Sequence, residues 1–163
     1  MSVEDQNLVP LHKDLIEDDQ LKRLFIGDKY DSYYKAKFDE MTPKKQMAGF
    51  NFGSFFFGPV WLFYRKMYVY ALIYIAFMFV FGMIITIFEL PEAFDRGGSI
   101  GIAVSMGFIG NTLYKSFVEK KIKMIVSDSP PTVEEQLKQK GGTNIIAALL
   151  FVVVMIILIM LSI

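Results

Sequence analysis

The sequence predicts an all-α integral membrane protein with three transmembrane helices, an interfacial or re-entrant aromatic segment and a short helical cytoplasmic N-terminal region. Apolar residues make up 53% of the 163 residues, against about 45–50% in soluble domains. These residues are concentrated in long runs, and residues 67–88 and 144–163 contain no charged side chain. Uncharged apolar runs of about 18 or more residues are typical of transmembrane helices.

Residues 1–48 form the predicted cytoplasmic region, a polar tail followed by two short amphipathic helices. This region contains ten acidic and eight basic residues and has no long apolar run. Gly27 is placed to end the first helix. The second helix carries an aromatic stripe at near-helical spacing, formed by Tyr30, Tyr33, Tyr34, Phe38 and Met41. Because so short a stripe cannot bury itself, we expect it to pack on a partner or on the membrane surface.

Residues 49–66 form the aromatic segment. Phe50 to Tyr64 span about 22 Å as a helix, against a hydrocarbon core of about 30 Å, and Gly58-Pro59 interrupts them. We therefore interpret this stretch as an interfacial or re-entrant segment and not as a fourth span. Its composition is typical of the membrane interface. The expected interfacial anchors are Phe55, Trp61, Tyr64 and Tyr68.

The remaining chain alternates between predicted spans and polar connections. The spans are residues 67–88, 99–118 and 144–163; an external loop covers residues 89–98, and a basic cytoplasmic loop with short helices covers residues 119–143. Within the second span, Asn111 and Thr112 are polar, so we expect them to make interhelical hydrogen bonds.

The distribution of lysine and arginine predicts the orientation. Residues 115–140 contain six lysines and four acids, whereas residues 89–98 contain one arginine and three acids. Because basic loops near spans stay in the cytoplasm, residues 115–140 are assigned there. With three spans the N-terminus is then cytoplasmic and the C-terminus external, or periplasmic. The N-terminus lacks the features of a cleaved signal peptide, so we expect the first span to direct insertion.

Four stretches occur in the order seen in a family of small bacterial inner-membrane proteins: FIGDKYDSYYKAKF, FNFGSFFFGPVWLFYRKMY, GNTLYKSFVEKKI and LKQKGGTN. The chain resembles domain-of-unknown-function family 2628 from about Leu21 to Asn144, and FFFGPVWLFYRKMY is the most specific part. It departs from the family at Phe52, where members often have tryptophan. The resemblance implies a bacterial inner-membrane location, and it implies no activity and no catalytic residues.

No constellation for catalysis is recognisable, so we expect a protein that is not an enzyme and that uses no cofactor and no metal. The chain has no cysteine, and its single histidine, His12, lies in the polar tail, where a solvated side chain is expected. The formal net charge is zero, which argues against nucleic acid as a partner. No ionisable residue lies deep inside a predicted span, whereas ion-coupled transporters usually have one.

Two surface features carry the functional expectations. A small-residue stripe at intervals of four is predicted to pack against the other spans or to mediate self-association; its members are Ser99, Ala103, Gly107 and Asn111. A juxtamembrane basic cluster is predicted to contact anionic lipids or simply to set topology; its members are Arg65, Lys66, Lys115, Lys120, Lys121 and Lys123. The predicted function is a scaffold or interaction protein in the bilayer, bound to an unidentified membrane protein or to itself. The alternative is a small oligomeric pore or a transporter-accessory subunit.

Overall fold

A computed structural model describes residues 17–42, 44–128 and 132–162; His12 and the polar tail lie outside these ranges. All regular structure in the described ranges is helical, which confirms the all-α class. The helices are α1 (17–26), a π-helix (Tyr30–Tyr34) continuing into α2 (Lys35–Asp39), α3 (Phe52–Tyr64), α4 (Tyr68–Ile87), α5 (Glu92–Ser127), α6 (Val133–Lys140) and α7 (Ile145–Ser162).

Helix α1 and the helical stretch that follows form one N-terminal unit. Gly27 has φ +78°, and its amide donates to the carbonyl of Arg23 at 2.9 Å, so α1 ends where the sequence predicts. Two ion pairs join the two halves of the unit: Arg23 Nε lies 2.8 Å from Asp31, and Lys35 Nζ lies 2.5 Å from Asp19. The two short helices therefore act together and not as independent amphipathic segments.

The aromatic stripe of the N-terminal unit faces the chain itself. Tyr30, Tyr34 and Phe38 are 1–3% exposed. The rings of Tyr34 and Tyr114 lie 4.7 Å apart between centroids, which places the stripe against α5. The expectation that the stripe packs on a partner or on the membrane surface is therefore wrong. It fails because α5 offers the stripe an apolar face within the chain itself, which includes Tyr114 inside the predicted span.

Helix α3 is bent in its middle at Gly58. Gly58 has φ +39° and ψ −112°, outside the helical region, and Pro59 follows it. A Cβ atom on Gly53 would lie 3.0 Å from Cδ1 of Trp61. Residues eight apart lie about 12 Å apart along a straight helix, so the two halves of α3 are folded towards each other. The interruption predicted at this position is present, and it makes the segment shorter still.

Helix α5 extends past both ends of the span predicted at residues 99–118. Its 36 residues correspond to about 54 Å. The loop predicted at residues 89–98 is therefore wrong for most of its length. Glu92 and Asp95 lie in the first helical turn, where acids stabilise the positive end of the helix dipole. Arg96 also pairs with Glu92 at 2.5 Å, one turn apart.

The stretch predicted as a basic cytoplasmic loop with short helices at residues 119–143 contains the end of α5 and one short helix. Helix α5 runs on to Ser127, and the short helix α6 packs beside it with Leu137 fully buried. The turn after α6 is clamped to α1, because the amide of Gly142 donates to the carbonyl of Phe25 at 2.6 Å. The N-terminal unit, the end of α5 and α6 thus share one core.

Two helical stretches are long and apolar enough to cross a membrane, Tyr68–Ile87 and Val133–Ser162. In the second stretch the polar helix α6 precedes the apolar helix α7. Only 6% of the apolar window of each stretch is buried inside the protein. These helices coincide with the predicted spans at residues 67–88 and 144–163, whereas the span at residues 99–118 stays a prediction.

Helices α4 and α7 begin side by side. Asn144 Nδ2 donates to the Tyr68 hydroxyl at 2.9 Å, and the Asn144 amide donates to the carbonyl of Tyr64 at 2.8 Å. Further along, the ring of Phe63 stacks on Phe151 at 4.7 Å. Helix α3 contacts α4, α5 and α7, and so it occupies the centre of the helical arrangement.

Candidate functional site

Arg65 is buried among three tyrosine rings. Its side chain is 6% exposed, and its guanidinium carbon lies 4.8 Å from the ring centroid of Tyr34 and 5.1 Å from that of Tyr114. The ring of Tyr64 is 5.4 Å away. We call this group the arginine cage. It joins the N-terminal unit, the end of α3 and the middle of α5 at one point.

The cage holds its charge mainly through aromatic faces. Within the described residues, Nε and Nη1 of Arg65 have no hydrogen-bond partner, and neither does the Tyr114 hydroxyl. A desolvated cation gains about 2 kcal/mol from a well-placed aromatic ring, which offsets part of the cost of its burial. Arginine suits such a site better than lysine, because its planar group stacks on rings and is weakly hydrated.

Burial also fixes the state of Tyr34. Removal from water raises the pKa of the Tyr34 phenol above its ordinary value, and the nearby charge of Arg65 opposes this rise only in part. The Tyr34 phenol is neutral at physiological pH and adds no negative charge beside Arg65.

A second polar cluster lies where residues 44–51 run alongside α5. Asn111 Nδ2 donates to the carbonyl of Ala48 at 3.0 Å, and Asn51 Nδ2 donates to Asn111 Oδ1 at 2.9 Å. Thr112 Oγ1 donates to the carbonyl of Gln46 at 2.6 Å, and the Asn51 amide donates to the carbonyl of Gly107 at 2.8 Å. We call residues 44–51 the linker. From Thr112 to Gly107 it follows α5 over about 7–8 Å.

An apolar groove of about 560 Å³ separates α4 from α5. Its walls include Tyr70, Tyr74 and Phe77 from α4, and along α5 it extends from Gly98 to Leu113. Fifteen residues of helix correspond to about 22 Å, so the groove is long and narrow. We call it the α4–α5 groove.

Comparison with known families gives one match. Residues 13–120 match the family described as "Protein of unknown function (DUF2628)", which covers more than half of the chain. The chain belongs to this family. No curated protein matches the chain, and no solved structure does. The DUF2628 match includes the arginine cage, the linker and the α4–α5 groove, whereas α6 and α7 lie outside it.

The basic residues predicted in this DUF2628 chain to contact lipid have different surroundings. Arg65 is buried in the cage, so the expectation that it contacts lipid headgroups is wrong; the neighbouring aromatic rings favour its burial. Lys66 Nζ donates to the carbonyl of Gln139 at 2.9 Å, and Lys115 Nζ donates to that of Phe38 at 2.9 Å. Lys120 and Lys123 are exposed, and the half-buried Lys121 lies with its Nζ 5.9 Å from the ring centroid of Phe117.

The four predicted interfacial anchors differ in their exposure. Trp61 is 6% exposed because it lies between Gly53 and the ring of Tyr114, so its assignment as an anchor is wrong. Phe55 and Tyr64 are half-buried, and Tyr68 is 39% exposed. The outward face of α3 is formed instead by Phe52, Phe56 and Phe57, which are 61–69% exposed.

The small-residue stripe on α5 is used over half of its length. Gly107 and Asn111 are buried, whereas Ser99 and Ala103 are half-exposed. A Cβ atom on Gly107 would collide with the ring of Phe50, so this glycine allows the linker to pack closely on α5. The sequence predicts packing against another span at this position. The partner differs because the linker lies directly on this part of α5, where the Asn51 amide donates to the carbonyl of Gly107 at 2.8 Å.

The arginine cage was missed at the level of sequence, and so was Asn51. Adjacent Arg65 and Lys66 look alike as a basic pair at a helix end. Two sequence features could have indicated the cage. Arg65 directly follows Tyr64, and the aromatic stripe of the N-terminal unit has no packing partner in the predicted arrangement. Asn51 precedes α3, and its side chain accepts from the Ser54 amide at 2.9 Å, which is an ordinary helix cap.

In the described residues, no group of three or more histidine or acidic side chains could hold a metal ion.

Proposed function

We propose that this protein is a non-catalytic scaffold of the bacterial inner membrane, which fixes a small folded cytoplasmic unit on the membrane surface. The arginine cage is the observation that carries this proposal. One buried residue at the end of α3 is enclosed by rings from the N-terminal unit and α5. Such a contact favours one fixed position over a flexible tether. The unit would present its charged outer face to a membrane protein partner or to a second copy.

The arrangement of α4 and α7 supports three spans. These two helices begin side by side, at Tyr68 and Asn144. If both cross the bilayer from the same side, the chain must return between them, and α5 is the helix that connects them. Residues 97–114 of α5 are uncharged and correspond to about 27 Å, close to the hydrocarbon thickness. The lysines that follow favour a cytoplasmic position for the end of α5.

The linker and α3 fit a shallow re-entrant position on the same side. Non-helical backbone is tolerated at membrane depth only where its polar groups are satisfied, and Asn111, Thr112 and Gly107 supply partners here. The Gly58 bend lies against Tyr74, six residues after the start of α4. Six residues rise about 9 Å, so the bend would enter a third of the hydrocarbon core.

The alternative, a pore or transporter-accessory subunit, needs polar groups that face a water-filled path. The buried amides of Asn51 and Asn111 are instead directed at each other and at backbone carbonyls. We therefore prefer the scaffold. In sealed vesicles, the purified protein should not release a trapped anionic dye; release that grows with protein density would favour the pore and overturn the scaffold.

Reporter fusions test the membrane arrangement directly. Fusions after Lys45 and after Ser127 should report the cytoplasm, and fusions after Glu92 and at the C-terminus should report the external side. An external signal at Lys45 would make the aromatic segment a fourth span. Identical signals at Glu92 and Ser127 would mean that α5 does not cross, and both results would contradict the proposed topology.

A further inference from the structure

We propose that the α4–α5 groove is a binding site for one anionic phospholipid, with an acyl chain in the groove and its headgroup phosphate at Lys121. This inference rests on the membrane placement proposed above and adds a specific ligand site to it. It differs from general attraction to a basic surface, because it assigns one groove and one lysine.

The groove has the chemistry and size of an acyl-chain site. Its walls are almost entirely apolar, and its volume of about 560 Å³ lies in the range of small-molecule pockets. Its length of about 22 Å exceeds one leaflet, which is about half of a 30 Å hydrocarbon core. Gly101 and Ser105 form part of its floor, and no heavy atom lies within 4 Å of a Cβ placed on Gly101. The space is therefore open to a flexible chain.

One row of side chains on α5 leads from this groove to a cation. The floor residues Gly101, Ser105, Ile109 and Leu113 are spaced by four, and the same spacing continues to Phe117 and Lys121. Side chains four apart are neighbours on a helix face. Tyr70 lines the groove and packs on Phe117 at 6.0 Å, so the Phe117 ring lies between this end of the groove and Lys121.

Lys121 is positioned to bind a phosphate at that end. Its Nζ lies 5.9 Å from the Phe117 ring centroid, so the side chain bends back towards the groove. Lys121 makes no ion pair with any residue that the structure describes. A free cation at the headgroup end of an apolar groove is complementary to a lipid that carries a negative charge.

The experiment is lipid titration of the full chain in mild detergent, with bound lipid counted by native mass spectrometry. After removal of co-purified lipid, dioleoyl phosphatidylglycerol and dioleoyl phosphatidylcholine are added separately. We expect one site per chain and about fivefold tighter binding of phosphatidylglycerol, the ratio that corresponds to about 1 kcal/mol for one juxtamembrane charge. Lys121→Gln should remove this preference, and Lys121→Arg should keep it.

Matched variants distinguish lipid binding in the groove from nonspecific lipid binding elsewhere on the protein. Ser105→Leu fills the groove and should abolish binding of both lipids, whereas Val104→Leu, one position away and outside the groove, should not. Lys123→Gln removes an exposed lysine near Lys121 and should leave the preference intact. Far-ultraviolet circular dichroism checks the fold, and Ser105→Val provides a smaller filler that should weaken binding if Ser105→Leu disturbs it.

Four results would overturn the proposal. Equal effects of Lys123→Gln and Lys121→Gln would indicate diffuse attraction. Unchanged lipid binding in both Ser105 variants would mean that no lipid occupies the groove, and a change in oligomeric state with Ser105→Leu would assign the groove to a second copy. A chain that stays in solution without detergent would overturn the proposed function as well, which distinguishes the two failures.

Discussion

The guanidinium of Arg65 contacts the rings of Tyr34 and Tyr114 together, at 4.8 Å and 5.1 Å from their centroids, which are themselves 4.7 Å apart. These three residues belong to the end of α3, the N-terminal unit and α5. This side chain therefore helps to fix the position of the N-terminal unit relative to the apolar helices, together with the hydrogen bonds from Lys115 to Phe38 and from Gly142 to Phe25.

Replacement of Arg65 tests this role. Arg65→Lys keeps the charge but loses the planar group that contacts two rings at once, so we expect the N-terminal unit to be held less tightly by about 1–2 kcal/mol. Hydrogen exchange of the amides in residues 30–39 measures this loss. Lys66→Gln is the matched control and should change protection far less. Equal protection in wild type and Arg65→Lys would contradict a role for stacking.

Gly107 tests the close approach of the linker. Gly107→Leu should destabilise the protein by about 1–3 kcal/mol, because the new side chain collides with the ring of Phe50. Gly82→Leu on α4 is the control, since no heavy atom lies within 4 Å of a Cβ there. Combining Gly107→Leu with Phe50→Ala should recover part of the loss. Thermal unfolding in detergent reports these differences, and a Gly107→Leu variant as stable as Gly82→Leu would refute the contact.

Asn111 tests the polar cluster. Asn111→Leu leaves the Ala48 carbonyl and the Asn51 amide without their partner, and each buried unsatisfied group costs about 1–3 kcal/mol. Thr112→Val removes only one hydrogen bond, from a half-exposed hydroxyl, so its cost should be nearer 1 kcal/mol. The same unfolding measurement ranks the two variants. The reverse order would place the main support of the linker at Thr112.

Trp61 fluorescence tests the position of α3. Because Trp61 is 6% exposed, we expect weak quenching both by aqueous iodide and by brominated lipid. In a Trp61→Phe background, Phe57→Trp puts the reporter on the outward face of α3, where brominated lipid should quench it at a shallow depth, within about 10 Å of the interface. Strongest quenching of this variant by bromine at the bilayer centre would indicate a spanning segment instead.

Acid pH should loosen the N-terminal unit through Asp19. The Lys35 ammonium and the Tyr30 hydroxyl donate to its carboxylate and hold its pKa below the ordinary value of 3.8. Its contribution is therefore present above about pH 4 and is lost as the pH falls through the lower, folded-state pKa. Protection factors across residues 17–39, corrected for the intrinsic exchange rate at each pH down to pH 3, should fall more in wild type than in Asp19→Asn. Parallel profiles would exclude Asp19 as the cause.

Local sequence signals predicted local features well. Apolar runs gave the positions of α4 and α7, and Gly27 and Gly58 gave the end of α1 and the bend in α3, because each depends on its own neighbours along the chain. The buried state of Arg65 could not be read in this way, since it depends on Tyr34 and Tyr114, far away in sequence. The pairing of Asn51 with Asn111 joins residues 60 positions apart. Helix α5 continues beyond the predicted span at both ends. Glu92 and Asp95 stabilise its first turn, and the buried side chains of Ile122 and Ile125 stabilise its last turns. The hydropathy pattern records neither effect.

The dependence of the linker on α5 imposes an order on biogenesis. A ribosome synthesises Asn51 some 60 residues before Asn111, a delay of about 3–12 s at ordinary elongation rates. During that interval the linker carbonyls that accept from Asn111 and Thr112 lack their partners, so the linker cannot yet pack as it does in the folded protein. Its packing against α5 is then a late step, which follows the synthesis of Asn111. A nascent chain arrested before Gly107 should accordingly keep this segment accessible to cytoplasmic protease.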